Sequence, residues 1–570
     1  MNSLLRDKAH PLTRTAYLIM WALVITTLGF WRNGTDPVNI PKLLSLAAFS
    51  GLVLGNVAVS KQYKNNKLIF HLVGVFLIAL IVPLLFASAP FAQQFYGIQG
   101  RNTGFLAYFF LGVLFLGAAI FPRRSDYQAI PKAILISGYG SAIICSLELA
   151  GVNVLGAVNN FGAIIGTLGN PNFISAFSGM ITVGAFALAL NSDLKFHQKV
   201  TYLILSLFSF YMVLMSKSFQ GLGATFVGII VVLSLYFFQK KFWKTFYTLI
   251  GATFVSLFLV IAGLLEKGPL AGSIYQYTLP IRVQYWQAGL RMLLDHPFTG
   301  VGLNSYGDWY RATRDADALI TPGATVTTNV AHNVYIDFAS SGGFLLLIAF
   351  ASLFLATFYY SIKALVKLRK YDPLFISSLG VWIVYLVTAF FSIDQLGLAV
   401  WGWVIAGSLI GISKSIINDV ESPEGKDRKR LESEESMVIA RNETNALIPQ
   451  LLFFLIFVGL VTPAFKGDLD WAQARRTGQA QIIAEQIEKW PQDEIRYSNA
   501  MYSFLTSGLE AQAVSLTLRG TQLFPRSSVL WNYLYQNPKT PIEQRNIAWA
   551  KLRELDPLNP AVIDLKKISG

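Results

Sequence analysis

Over 570 residues the chain carries 54% hydrophobic and 14% charged side chains, with a mean hydropathy of +0.48. That balance excludes a water-soluble globular protein and predicts an all-α, polytopic membrane protein. The net charge of +14 sits in loops between apolar runs, so it reads as a topology signal and not as a nucleic-acid footprint.

Apolar runs of roughly 17 to 25 residues, enough to cross a hydrocarbon core of about 30 Å, recur about thirteen times. They fall near residues 15–31, 39–58, 68–88, 104–121, 133–151, 172–190, 200–216, 221–238, 245–265, 340–361, 373–392, 397–413 and 447–465. Arg6, Lys8 and Arg14 precede the first run. The flank at 29–36 lacks a small-x-small cleavage pattern, which favours an uncleaved span over a signal peptide. Basic clusters at Lys61/Lys64/Lys67, Arg123/Arg124/Lys132, Lys195/Lys199, Lys240/Lys241/Lys244, Lys363/Lys367/Arg369/Lys370 and Lys426/Arg428/Lys429/Arg430 all follow even-numbered spans. This alternation predicts a cytoplasmic N-terminus and an extracytoplasmic C-terminus. Cys145 stands alone inside a span, which excludes an intramolecular disulfide.

The longest polar interruption within residues 1–465 is the external loop 266–339. Its Arg282-to-Arg291 segment reads as an amphipathic helix. After it come Asp295-His296-Pro297, then Gly300-Val-Gly302-Leu-Asn304-Ser-Tyr306, and finally Ala331-His332-Asn333-Val-Tyr335-Ile-Asp337. Residues 419–446 form a charged cytoplasmic linker. Residues 466–570 read as a separate extracytoplasmic helical domain in which Pro491, Pro525 and Pro557 recur at spacings of 34 and 32 residues. That is the period of tetratricopeptide helix pairs, with an ordinary helical bundle as the alternative.

Topology sorts the candidate chemistry. Of the five histidines, only His296 and His332 fall on the predicted outer side. His296 suits capping of helix carbonyls. His332 is either an interfacial surface residue or an imidazole that accepts a proton near physiological pH. Arg101, Arg282 and Arg291 are external guanidiniums able to fork onto phosphate oxygens, or simply to meet lipid headgroups. In Gly166-Thr-Leu-Gly169-Asn170-Pro171-Asn172-Phe173 two carboxamides precede span six. They suit sugar hydroxyls, although a plain helix cap accounts for Asn170 as well. Glu148 is a carboxylate near the outer end of a span. Gln220 and Asp394 are weaker candidates of the same kind.

Four segments together carry a family resemblance: Gly-Asn-Pro-Asn before a span, Arg-x3-Trp-x2-Gly in the loop helix, His-Pro-Phe-x-Gly-Val-Gly-x-Asn-x-Tyr, and Ala-His-Asn-x-Tyr-x-Asp. In order and spacing the chain resembles the bacterial O-antigen ligase and polymerase superfamily. Gly-x-x-Gly-Arg-x-x-Gly around Arg101 resembles the subgroup that ends in tetratricopeptide-like repeats. The resemblance implies a membrane-embedded glycosyltransferase of the C type in the bacterial cytoplasmic membrane. Such an enzyme moves a glycan from undecaprenyl diphosphate to an acceptor on the outer face.

Under that resemblance His332 and Arg282 match the family's functional histidine and arginine. Where many members carry Ser-Arg-Gly after the seventh span, this chain has Ser218-Phe-Gln220-Gly221, so Arg101, Arg291 or Lys217 takes over the phosphate contact. Asn170, Asn172, Gln220, Asn304, Tyr306 and Asn333 would shape the sugar and acceptor pocket, with Asp337 and Glu148 behind them. Guanidiniums that neutralise the leaving diphosphate remove the need for a metal or another cofactor. Expected partners are membrane lipid, the lipid-linked donor, and a glycan, lipid or protein acceptor engaged by residues 466–570. Three alternatives stay open: a repeat-unit polymerase, a transporter of a bicarbonate-like solute, which would place charges mid-span, and a scaffold whose tail recruits enzymes.

Overall fold

The computed structural model describes residues 12–121, 123–156, 158–272, 279–368, 370–421, 442 and 444–568. Among these the regular elements are helices, with no strand. In chain order they begin with α1 (Arg14–Leu28), α2 (Asn39–Val59), α3 (Lys67–Phe86), α4 (Phe105–Ala119), α5 (Ala129–Leu149), α6 (Pro171–Ala189), α7 (Phe196–Met215), α8 (Phe219–Gln239) and α9 (Trp243–Leu264). The loop helices α10 (Leu279–Asp295) and α11 (Tyr306–Thr313) follow. After them come α12 (Val334–Lys367), α13 (Pro373–Phe391), α14 (Leu396–Glu421) and α15 (Leu447–Thr477).

Eleven of these helices are long and apolar enough to cross a membrane, whereas α1 and α4 are apolar but only 15 residues long. Each expected span therefore falls on a helix, two of them short. Most of the expected linker 419–446 lies outside the described residues, as do Arg6, Lys8, His10 and residues 273–278 of the large loop.

Helix α14 is the axis of the bundle. Its apolar stretch is buried throughout and packs on α1, α4, α12 and α13. Trp401 and Trp403 on α14 and Trp382 on α13 fill that core. Some polar groups inside it pair across helices, whereas the indoles of Trp382 and Trp403 have no hydrogen-bond partner among the described residues. The Trp401 indole donates to Thr27 Oγ1 at 2.8 Å. Lys42 Nζ, fully buried on α2, donates to the carbonyls of Thr27 and Gly29 at 2.9 and 2.7 Å, satisfying the otherwise orphaned end of α1.

Helix α12 is broken near its start, and the break carries the site. Gly343 adopts φ 67°, ψ −167°, leaving the adjacent backbone groups outside the helical ladder. The 297–302 segment replaces them: Val301 and Gly302 N–H donate to Ser340 and Ser341 carbonyls at 2.8 and 3.1 Å, and Phe344 N–H donates to the Pro297 carbonyl at 2.8 Å. The fit needs glycine on both sides. A Cβ on Gly343 would stand 2.4 Å from Pro297 O, and one on Gly300 would stand 2.3 Å from the Ser341 carbonyl carbon.

Beyond α15 the chain forms α16 (Ala480–Ile487), α17 (Glu494–Thr506), α18 (Glu510–Leu523), α19 (Ser528–Gln536) and α20 (Ile542–Leu555), each packed on the next. Pro491, Pro525 and Pro557 all stand in connections between helices. These helices dock on the loops that hold Phe91, Tyr96, Trp309, Arg311 and Arg314. Asp556, 1% exposed, receives Arg311 Nη1 at 3.1 Å and Arg314 Nη2 at 2.6 Å. The Arg526 guanidinium lies over the Trp309 ring at 3.6 Å, and Trp490 packs against Phe91 and Tyr96.

Candidate active site

Three turns with unusual backbone bring the candidate groups together. Asn102, Asn304 and His332 all adopt left-handed backbone, with φ of 55°, 55° and 56°. Such conformations cost non-glycine residues about 1 kcal/mol or more and persist only when their surroundings over-determine them. Here they do. Asn304 Nδ2 donates to the Thr103 carbonyl at 2.6 Å, stapling the 97–103 turn to the large loop. Gln93 Nε2 donates to the Asn304 carbonyl at 3.0 Å and to Asp308 Oδ2 at 2.8 Å. Asp337 Oδ1 accepts the Ala331 N–H at 2.7 Å, which fixes the backbone immediately before His332.

His332 is the electrostatic focus of the loop. Its ring stacks on Tyr285, with centroids 5.8 Å apart. Burial, and then the positive charges of Arg282 and Arg101, push its pKa down to about 4. The imidazole is therefore neutral near pH 7, and two guanidiniums from separate loops lie within electrostatic reach of it. Arg282 Nη2 donates to Gln220 Oε1 at 3.1 Å. Gln220 on α8 thus holds an arginine from the loop helix α10.

A cleft of about 480 Å³ adjoins these groups, and its walls include Arg101, Asn304, Tyr306, Asp337 and Asp394. Arg282 and His332 do not line it. Asp337 and Asp36 both act electrostatically on Arg101, whose own charge is disfavoured by burial. Burial pushes Asp394 up to about 7 although the Tyr385 hydroxyl donates to its Oδ1 at 3.0 Å. Asp394 was only a weak candidate in the sequence, because a lone aspartate in a short loop between two spans carries no motif.

Other candidates are engaged structurally. Asn170 caps α6 by accepting the Asn172 N–H, and Asn172 Oδ1 accepts from Ser218 Oγ at 2.7 Å, joining the starts of α6 and α8. Asn333 caps α12. Tyr306 is buried with its hydroxyl donating to the Tyr285 carbonyl at 2.5 Å. Arg291 is held by Asp315 and by the Thr313 carbonyl, and Lys217 Nζ donates to the Gly162 carbonyl at 2.9 Å. Glu148 accepts the N–H groups of Ile165 and Gly166 at 3.0 and 2.9 Å, so it fixes the loop between α5 and α6. The His296 ring meets Trp309 edge-on at 4.7 Å. Sequence reading missed Gln93 and Gln94, although two adjacent amides within an apolar stretch were a usable signal; both are buried and bond the large loop.

Residues 204–351 match the family model for O-antigen ligase. The matched stretch holds Gln220, Arg282, Asn304, Tyr306, His332 and Asp337, together with the loop helix and the kink of α12. Arg101, Asn170, Asn172 and Glu148 lie before it. The match indicates glycosyl transfer of the O-antigen ligase and polymerase type. No curated protein matches the chain.

Proposed function

We propose that the chain transfers a glycan from undecaprenyl diphosphate to an acceptor hydroxyl on the outer face of the cytoplasmic membrane, in the manner of an O-antigen ligase or an O-linked oligosaccharyltransferase. The distribution of basic loops supports a cytoplasmic N-terminus, with the site and the C-terminal helices on the outer side. The observation that carries the reading is that the charges of Arg101 and Arg282, from two loops, both act on the buried imidazole of His332.

In the transfer, the acceptor oxygen bonds to the anomeric carbon from the face opposite the diphosphate. The bond from that carbon to the diphosphate oxygen breaks, and its electron pair leaves on the diphosphate. The configuration inverts. The acceptor proton passes to an imidazole nitrogen of His332. Arg101 and Arg282 neutralise the leaving charge, the work for which a divalent metal is often used. The low pKa of His332 in the ligand-free site has a consequence for this step. Two arginines oppose a third positive charge, but a bound diphosphate cancels them and makes the imidazole a better base. Proton acceptance is thereby tied to the presence of donor.

Docking of α17–α20 on the same loops favours an acceptor met in part by the C-terminal helices. The test is the glycan profile of cells carrying Arg282→Ala or His332→Ala at matched expression. Lipid-linked donor accumulates and the transferred product falls by roughly 100-fold or more, the scale of a lost acid–base or charge-stabilising group. Unchanged profiles in both would refute the reading, and the product that vanishes names the acceptor.

A further inference from the structure

A second cleft, larger than the first, lies where the C-terminal helices meet the bundle and the external loops. Its walls come from the start of α2, the 93–102 segment, α11, the outer part of α15 and the start of α17. Asn304 and Asn329 line both clefts, so the two adjoin. Their charges differ. The site around His332 is edged by Arg101 and Arg282, whereas this cleft presents Asp36, Asp308, Asp468, Asp493 and Glu494 against Arg496. Burial raises the pKa of Asp36, Asp308 and Glu494, so the cleft carries less negative charge than its count of carboxyls.

The hydrogen-bonding groups are more specific than the charge. Asp36 and Asn102 line this cleft with side chains 7% and 6% exposed, and their buried Oδ2 and Oδ1 atoms have no hydrogen-bond partner among the described residues. Gln99 Oε1 and Arg496 Nε share that state. A buried polar atom without a partner costs about 1–3 kcal/mol, so a ligand that pairs these atoms recovers that energy. Three oxygens and one N–H call for a ligand that both donates and accepts. Sugar hydroxyls do both, a phosphate only accepts and an ammonium only donates. Tyr96 and Phe524 add aromatic surface to the same walls.

We propose that this acidic cleft is the acceptor subsite and that it takes a hydroxyl-rich, uncharged sugar chain, whose end passes Asn304 toward His332. The assignment rests on the glycosyl-transfer reading and narrows its acceptor from any hydroxyl to a glycan.

The experiment uses the full chain with Asp36→Asn, which keeps the Oδ1 cap of α2 and replaces the unpartnered oxygen, and Asn102→Gly, which suits the left-handed backbone. Each is made alone and in combination, and Arg282→Ala is the reference. In cells the double variant lowers transferred product at least roughly tenfold at unchanged protein level. Lipid-linked donor rises, while slow release of free glycan from donor to water persists. Arg282→Ala loses both transfer and release. With the purified chain in detergent, saturation-transfer NMR uses neutral oligosaccharides hydrolysed from the cells' own envelope glycan as probe. Signals seen with the unaltered chain fall several-fold in the double variant and stay in Arg282→Ala. If the double variant transfers and binds normally while Arg282→Ala is inactive, the acceptor subsite is refuted and glycosyl transfer stands. If Arg282→Ala is also normal, the parent reading fails. Loss of a glycosylated protein as the affected product, with no oligosaccharide signal, would overturn the sugar assignment in favour of a peptide.

Discussion

Gln220 and Arg282 show how one substitution redistributes a site. The hydrogen bond from Arg282 to Gln220 Oε1 fixes a guanidinium whose charge burial already disfavours. A bond to a charged group is worth about 1.5–3 kcal/mol, so Gln220→Leu is expected to lower donor turnover by roughly 10- to 100-fold while leaving the fold intact. Measuring the rate against donor concentration separates this from general damage, because the defect falls on donor handling. His332 gives a pH signature. Its pKa is lowered to about 4 from an ordinary 6.5, so the folded state favours the neutral ring. The stability this contributes is fully present above pH 6.5 and is lost as pH falls from 6.5 through about 4. The acid limb of kcat/KM, which reports the free enzyme, is therefore expected near 4, and the limb of kcat higher once diphosphate is bound. Coincident limbs at 6.5 would show that neither burial nor the arginines act on this ring.

The broken helix α12 is the element on which the site depends. Its kink at Gly343 and the docked segment 297–302 place Asn304 on one side and the turn holding His332 on the other. Gly343→Ala puts a side chain into left-handed backbone and against the Pro297 carbonyl. Strain of that kind costs about 1–3 kcal/mol, and a lower thermal midpoint accompanied by loss of transfer is the expected result; an unchanged midpoint would mean the segment is not docked. Sequence periodicity placed a span at 340–361, but the helix begins earlier, at Val334, and breaks within Ser340-Ser341-Gly342-Gly343. Hydropathy reports which residues meet lipid and is silent about a backbone satisfied by another segment. The loop helix, by contrast, was legible because its Arg-x3-Trp-x2-Gly pattern buries Ala288 and Gly289 toward α12 while Trp286 meets Phe390 and Phe391.

At the scale of the molecule, membrane helices and C-terminal helices are joined by contacts that no local pattern reveals. The Asp556 carboxylate, four helices away in sequence from α16, closes on Arg311 and Arg314 of the loop. Removing one partner of a buried ion pair leaves an uncompensated charge and costs about 3–5 kcal/mol. Asp556→Ala is expected to release the C-terminal helices from the loops, seen as new protease cleavage between residues 466 and 570 with the bundle intact. Resistance equal to the parent would show that the docking does not rely on this carboxylate. Composition and charge alternation made the membrane class readable, and motifs picked out Arg101, Arg282 and His332. Long-range pairings such as Gln220 with Arg282, or Asp556 with two arginines, depend on which loops meet, and a single sequence does not encode that in any spacing.

In the proposed reaction Arg101 and Arg282 hold a lipid diphosphate while His332 accepts the acceptor proton. The most direct measurement is transfer by the purified full chain in lipid nanodiscs, with radiolabelled glycan on undecaprenyl diphosphate as donor and an extract of the host envelope as acceptor. Label is predicted to move to acceptor with the unaltered chain, and to fall by roughly 100-fold with Arg282→Ala and with His332→Ala. Arg101→Ala is predicted to weaken donor binding as well. Transfer at the unaltered rate in both Arg282→Ala and His332→Ala would contradict the account.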